Sequence, residues 1–338
     1  MQIEFFSEDK NFVMEIDLEE EIFNSYEHKT MHKGEVEGFE DSLVHGNNIS
    51  AKERQEGKDS KPYGDERSQE LLSDIRSEYD KWRQKNIALK GPFIEKKEVD
   101  LEVIKKRVEL LNEYKDFIDQ QVYAEAFDSR SRLHSTVIEE FFVYLFGDLV
   151  ADFSSQAHVG QSKAFKDIFF DPPNYDEMVD KPYANVEKKE HDFSIGVDIG
   201  TFMFTGKYKD NEPEKHNLNI PAVVIECKTY VDKTMLEGMS TAAEELVAKN
   251  PNAIYIAAAE WIKLTSEYNP RKFKLDQVYI LRRQINTDQR FRFEEGYEKN
   301  PIYSDVVEGL YNKVRNHITG NWEGGAEYAV ETGKLMPE

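Results

Sequence analysis

The chain has 338 residues but only one cysteine, Cys227, so it contains no intrachain disulfide framework. No apolar run approaches the roughly 20 residues that a membrane-spanning helix needs. The first residues, MQIEFFSEDK, carry neither a basic stretch nor a long apolar one, so no signal peptide is expected. The eight histidines and the lone cysteine show no zinc-ligand spacing. No G-x-x-x-x-G-K-[ST] loop is present, which argues against ATP-driven movement, and no G-x-S-x-G element marks a serine hydrolase. Positive charge is also scarce: 44 Lys and Arg stand against 66 Asp and Glu, a net −22. That deficit speaks at first against a nucleic-acid partner, since phosphates are bound by Lys and Arg.

What is present is enough to fold. The length suggests about two domains, and 39% hydrophobic with 12% aromatic residues can build a large core. Residues 1–66 read as an acidic, partly loop-like segment. Its first 40 residues hold twelve acids and three lysines, a net −9. This head reads as a solvated face, the alternative being a mimic of phosphate charge that shields a basic cleft. Residues 28–66 are poor in apolar groups and read as a long connector.

Helix-period apolar stripes follow in a helical region over 67–127. One stripe (Leu71, Leu72, Ile75, Tyr79, Trp82) predicts a helix over 67–86. Another (Ile104, Val108, Leu111, Tyr114, Ile118) predicts one over 98–126, with Gly91-Pro92 breaking the chain between them. A third stripe over 129–150, capped by Asp128 or Ser129, carries Glu139 and Glu140 on a strongly apolar helix. From about residue 190 the texture becomes that of strands. Asp192–Val197 alternates, Asp210–Asn217 reads as a turn, and PAVVIEC (221–227) is a buried-strand run. A helix over 235–249 leads to strands at 253–259 and 277–282. This order predicts an α/β (mixed α+β) core over 128–300 with a central mixed β-sheet flanked by helices, followed by a helical tail over 301–338.

The chemistry sits at the end of PAVVIEC. Residues two apart on a strand share a face, so Glu226 and Lys228 project together from an otherwise apolar strand. Buried charges of this kind need each other or a metal. If Asp192, at the start of the preceding strand, lies beside them, Asp192 and Glu226 can share one Mg²⁺. Lys228 can then help deprotonate the metal-bound water or stabilise charge on a phosphate. Asp198, six residues on, competes with Asp192 for this place. His191 either orients Asp192 or lies at the surface. Cys227 alternates away and reads as a small core residue. One of Glu139 and Glu140 is expected at the surface.

Asp192, then Glu226-x-Lys228 at a strand end, with Glu139-Glu140 on a helix before both, resembles the PD-(D/E)xK nuclease superfamily. The proline that often precedes the Asp is replaced by His191. The longer segments LHSTVIEEFFVYLF (133–146), KKEHDFSIG (188–196) and IECKTYVDKTMLEG (225–238) resemble type II restriction endonucleases of the BbvCI kind over roughly residues 130–262. The resemblance implies a restriction-endonuclease-like core and Mg²⁺-dependent cleavage of double-stranded DNA at a short sequence, in the cytoplasm of a prokaryote. Asp192 and Glu226 would be the metal carboxylates, Lys228 the catalytic lysine, and Glu139 or Glu140 the helix acid. Cutting both strands needs two sites, hence a homodimer or a paired subunit.

Two basic stretches then answer the charge objection. Residues 81–97 and 271–292 are each net +5 (six bases against one acid, and seven against two). Candidate DNA contacts are Arg130 and Arg132 beside the helix acid, Lys233, and Arg271, Lys272, Lys274, Arg282 and Arg283 in the second stretch.

Overall fold

The computed structural model describes residues 3–5, 12–14, 43–54, 63–95, 100–127, 131–154, 156–206, 213–264, 268–285 and 296–335. The chain divides into two compact units, residues 1–30 and 31–338. The first holds an antiparallel pair, β1 (Ile3–Phe5) and β2 (Phe12–Met14), with Ile3 opposite Met14. The rest of the acidic head, to residue 42, lies outside the described residues, so neither reading of it is addressed. In the second unit the expected 28–66 connector contains a helix, α1 (Val44–Glu53), which buries Ile49 and His45.

Two long helices follow. In α2 (Glu66–Ala88), Asp65 caps the start by accepting from the Ser68 amide at 2.9 Å, and Leu72, Ile75, Tyr79 and Trp82 are buried along one stripe. In α3 (Asp100–Ile118) the same spacing buries Ile104, Val108, Leu111, Tyr114 and Ile118. The chain breaks before a short α4 (Gln121–Ala126), where a single helix to 126 was expected. The helix α5 (Thr136–Phe153) begins later than 129; Asp128 and Ser129 lie outside the described residues. It is apolar almost all round, and is therefore a central helix rather than a surface one. Phe141, Phe142, Leu145 and Phe146 are fully buried in it, each worth roughly 1.5–3 kcal/mol.

The sheet has five strands: β3 (Ala157–Phe170), β4 (Ala184–Met203), β5 (Glu214–Val231), β6 (Ile254–Ile262) and β7 (Gln277–Ile285), in that order across the sheet. The β3–β4 and β4–β5 pairs are antiparallel, whereas β5–β6 and β6–β7 are parallel. The mixed sheet agrees with the expectation. Strand β3 is new, because its alternation is broken by a register shift between Gly160 and Ser162. Strand β4 starts at Ala184, so Asp192 lies mid-strand rather than at its opening. Glu214–Asn217, expected as turn, opens β5. Where the β4–β5 register shifts, between Ile195 and Gly196, Gly196 meets β5 so closely that a Cβ there would run into the Ile220 carbonyl oxygen, and only glycine fits.

Helix α5 and the helical region share one apolar cluster with Phe193, Val223 and Ile225. On the other side, α7 (Lys233–Lys249) packs against Val224, Tyr255 and Ala257 in a second cluster. The PAVVIEC run is buried on both faces because helices cover both. Two short helices, α6 (Tyr175–Asp180) in the β3–β4 connection and α9 (Ala326–Thr332), complete the fold with α8 (Ser304–Ile318), which buries Val307, Leu310, Tyr311 and Val314. The segments 67–127, 128–300 and 301–338 therefore lie within one compact unit. No helix among the described residues is long and apolar enough to cross a membrane.

Candidate active site

Antiparallel pairing of β4 with β5 sets Phe193 opposite Ile225, which brings Asp192 alongside the Glu226–Lys228 tripeptide. Lys228 Nζ lies 2.6 Å from Asp192 Oδ2 and 2.9 Å from Glu226 Oε2. The Cys227 amide donates to the same Asp192 oxygen at 2.9 Å. Glu226 Oε1 accepts from Tyr255 Oη at 2.9 Å and sits 3.2 Å from His191 Nδ1. Asp192, His191 and Lys228 open into a cleft of about 410 Å³, which Arg132, Glu139, Gln161, Thr229 and Tyr230 also line, and Glu226 contacts this wall through Lys228 and His191.

The electrostatics follow from this packing. Burial alone would lift Glu226, but His191, Lys228 and Tyr255 hold its carboxyl well below the usual carboxylate range. Burial and the neighbouring Glu226 charge raise Asp192, against the pull of Lys228 and the Cys227 amide. Burial would lower Lys228, yet the two carboxylates hold its ammonium above the ordinary lysine value. The side chain is thus set to present a positive charge.

Both helix acids are buried, at 3% and 0% exposure, so neither lies at the surface as expected for one of them. They face different partners. Glu140 accepts from the amides of His45 (2.9 Å) and Gly46 (3.0 Å) and from Tyr144 Oη (2.7 Å); it anchors the start of α1 and does not line the cleft. Glu139 lines the cleft. Its Oε2 has no hydrogen bond among the described residues, only Arg132 at 3.6 Å. Burial and the charge of Asp192 push its carboxyl up to about 8.

A raised carboxyl has a defined stability signature. The folded chain keeps a proton on Glu139 where the unfolded chain, with its ordinary value of 4.5, has lost it. The cost is absent below about pH 4.5, grows through the interval, and is complete above about pH 8. Glu139→Gln removes it. In metal-free buffer the variant is expected to be more stable than the wild type by a few kcal/mol above pH 8, with the difference vanishing below pH 4.5. Urea melts across pH check this; parallel stability curves at all pH values would contradict it.

His191 is buried and holds Glu226 rather than Asp192. Asp198 is exposed in β4, opposite Asn219, and does not line the cleft. Cys227 is buried as expected. Two site residues escaped the sequence reading, Tyr255 and Gln161. A lone Tyr in the apolar run IYIAAA was the available signal, since a buried phenol needs a hydrogen-bond partner. Nothing local marks Gln161, which owes its place to the β3 register shift.

The basic candidates divide. Arg132 stands at the cleft and Arg130 lies outside the described residues. Lys233 and Lys272 share Glu237, at 3.7 and 3.6 Å, and both lie over the Tyr268 ring. Lys233 opens α7, whose Met235 lines the cleft, and Lys272 reaches the same helix from the turn Pro270–Lys272. Arg271 and Lys274 are exposed nearby. Arg283 is exposed, pairs with Asp305 and stacks on Tyr303. Arg282, expected at the DNA, is not available to it. It is fully buried, with Nε 2.8 Å from Glu260 and its guanidinium over Trp261, so it cannot touch DNA. In the other basic stretch Lys81 and Lys85 pair with Glu78 and Glu113, and neither lines the cleft.

Among the described residues no group of three or more His, Cys, Asp or Glu is arranged to hold a metal ion. The donor set nevertheless suits a hard cation. Mg²⁺ takes oxygen ligands and is commonly held by one or two carboxylates with substrate phosphate completing its shell. Asp192 and Glu226 supply two carboxylates, and Glu139 Oε2, with no hydrogen bond among the described residues, stands beside them in the cleft wall.

Comparisons with known proteins agree on the fold and the family. A solved structure described as the native BbvCI A2B2 tetramer at low resolution superposes with a TM-score of 0.53 at 18% identity, covering 84% of this chain and 98% of that one, a likeness of fold. No curated protein matches the chain. The family model of the Bpu10I restriction endonuclease matches residues 130–334, a span that includes Glu139, Asp192, Glu226 and Lys228. With more than half of its length under that match, the chain belongs to the Bpu10I restriction endonuclease family and is a type II restriction endonuclease, a hydrolase with a restriction-endonuclease-like α/β fold.

Proposed function

We propose that the chain hydrolyses phosphodiester bonds of double-stranded DNA at a short recognition sequence, with Mg²⁺, in the cleft around Asp192, Glu226 and Lys228. The observation that supports this most directly is the Lys228 ammonium held between two carboxylates in an open cleft. Asp192 and Glu226 would hold the cation, which when bound polarises the scissile phosphate and lowers the pKa of a water. Lys228 is placed to face a non-bridging phosphate oxygen and offset the charge that develops there. Glu139, raised to about 8, can carry a proton near neutrality beside the reacting groups. His191 and Tyr255 position Glu226. Arg132 at the cleft, with Lys233, Arg271, Lys272 and Lys274 beside α7, would hold the flanking phosphates.

One chain carries one such cleft, and two strands must be cut. A homodimer or a paired subunit supplies the second, and the BbvCI relative assembles as an A2B2 tetramer. Incubating plasmid DNA with the protein and Mg²⁺ tests the reading. Discrete linear fragments are expected, with none when the metal is chelated. A smear would instead indicate a nuclease without sequence preference, and intact plasmid with both Mg²⁺ and Mn²⁺ would indicate a protein that binds DNA without cutting it.

A further inference from the structure

A second depression, of about 200 Å³, adjoins the cleft and shares Gln161 with it. Three strands build its walls: His158, Gln161 and Ser162 from β3, Asp198 from β4, and Asn217 and Asn219 from β5. The register shift between Gly160 and Ser162 leaves Gln161 without a partner on β4 and places it at the boundary of both cavities. Such bulges re-aim side chains beside functional sites.

The walls hold buried polar atoms with nothing to bind. Ser162 Oγ, Asn219 Oδ1 and His158 Nε2 have no hydrogen-bond partner among the described residues. Ser162 is 5% exposed and Asn219 9%. Buried hydroxyls and amides are nearly always paired, because an unmade hydrogen bond there costs the full desolvation of the group. Asn219 spends its Nδ2 on Asp198 Oδ1 at 2.9 Å, which fixes its free oxygen as an acceptor beside a carboxylate. Burial lowers His158, so its ring is neutral near pH 7.

The Asn219 oxygen and the Asp198 carboxylate can only accept, so neither suits a phosphate oxygen, which also only accepts. Two exposed lysines also line the pocket, Lys163, paired with Glu190 at 3.3 Å, and Lys188. The Asn219 and Asp198 oxygens suit a group that donates, which in the major groove is the exocyclic amine of adenine or cytosine, with the one N–H that base pairing leaves free. We propose that this pocket reads the amino group of one adenine or cytosine of the DNA held in the cleft, through Asn219, Asp198 and Ser162, with Gln161 bridging to the scissile region. The inference rests on the reading of the chain as a sequence-specific DNA enzyme.

A binding selection from a pool of random duplexes tests it. The full chain carrying Glu226→Gln, so that DNA is bound and not cut, is compared with the same chain carrying Asn219→Ala or Ser162→Ala in addition. The parent is expected to enrich one short motif. Each added substitution should weaken preference at the same single base pair, on the order of 10- to 100-fold for Asn219→Ala, with the other positions retained. Ser162→Ala deletes only one hydroxyl and keeps the test open should Asn219→Ala fail to fold. A motif unchanged at every position overturns the proposal, as does an equal loss of affinity for all duplexes, the mark of a phosphate contact. A parent that enriches no motif overturns it too. A parent that enriches a motif while the wild type cuts no DNA removes the nuclease reading and leaves the pocket assignment standing.

Discussion

Glu226→Gln is expected to lower DNA cleavage by about 10³-fold or more while DNA binding stays within a few-fold of the wild type. Glu226 Oε2 faces Lys228 Nζ, which can only donate, so the glutamine must keep its carbonyl oxygen there and turn its amide nitrogen to the other side. On that side stand Tyr255 Oη and His191 Nδ1, both of which can accept once their own protons rearrange. The fold around the site therefore survives, and what is lost is a full negative charge. Without it the cleft has one strong carboxylate for a hard cation, and Lys228 has one counter-ion instead of two. Removing an acid from the cleft does not weaken phosphate binding, which separates this variant from one that disrupts a DNA contact. Cleavage and gel-shift assays on the same duplex measure both quantities; cleavage within tenfold of the wild type would remove Glu226 from the chemistry. Glu139→Gln, by contrast, removes a charge that costs stability, and is expected to stabilise the metal-free chain at alkaline pH.

Arg282→Ala should destabilise the chain by roughly 3–5 kcal/mol without altering the sequence that is cut. The guanidinium lies at the centre of a buried network. Its Nε contacts Glu260 at 2.8 Å, its Nη1 donates to the Asn300 carbonyl at 2.7 Å, and its Nη2 lies 3.8 Å from Asp119. Lys115 joins the same two acids at 2.9 and 3.1 Å, and Lys299 lies 3.3 Å from Asp119. Burial opposes the Asp119 charge, yet Lys115, His134 and Lys299 hold its carboxyl well below the usual range. Deleting the guanidinium strands a fully buried Glu260 with Lys115 alone, and also strips the packing over Trp261. The network ties α3 to β6 and β7, so the loss is expected as one cooperative shift of the urea midpoint. Were Arg282 a base-reading residue, the variant would show the reverse pattern, relaxed cleavage specificity at unchanged stability.

The two arginines at 282 and 283 show where the sequence stops informing. Side by side in a basic stretch, they look alike, and local charge counting assigns both to DNA. Burial separates them, and it depends on partners such as Asp119, just past the end of α3 and some 160 residues earlier, a distance no periodicity spans. The same holds for Glu139 and Glu140. Adjacent residues on a helix point about 100° apart, so one must leave the cleft; which one depends on where β4 and α1 pack against α5.

What the sequence determined by itself is whatever depends on near neighbours. Glu226 and Lys228 share a face because strands alternate, and their chemistry follows from burying such a pair at the end of an apolar run. The stripes of α2 and α3 and the double-sided burial of PAVVIEC are equally local. The tertiary structure alone decided that Asp192 and not Asp198 meets this pair, since that depends on the register of β4 against β5 and on the close passage at Gly196. It alone produced β3, whose alternation is broken by its own register shift, and with it Gln161 and the acceptor-lined pocket. Strand register is set by pairing between distant segments, and a shift of one residue reverses which side chains face the cleft.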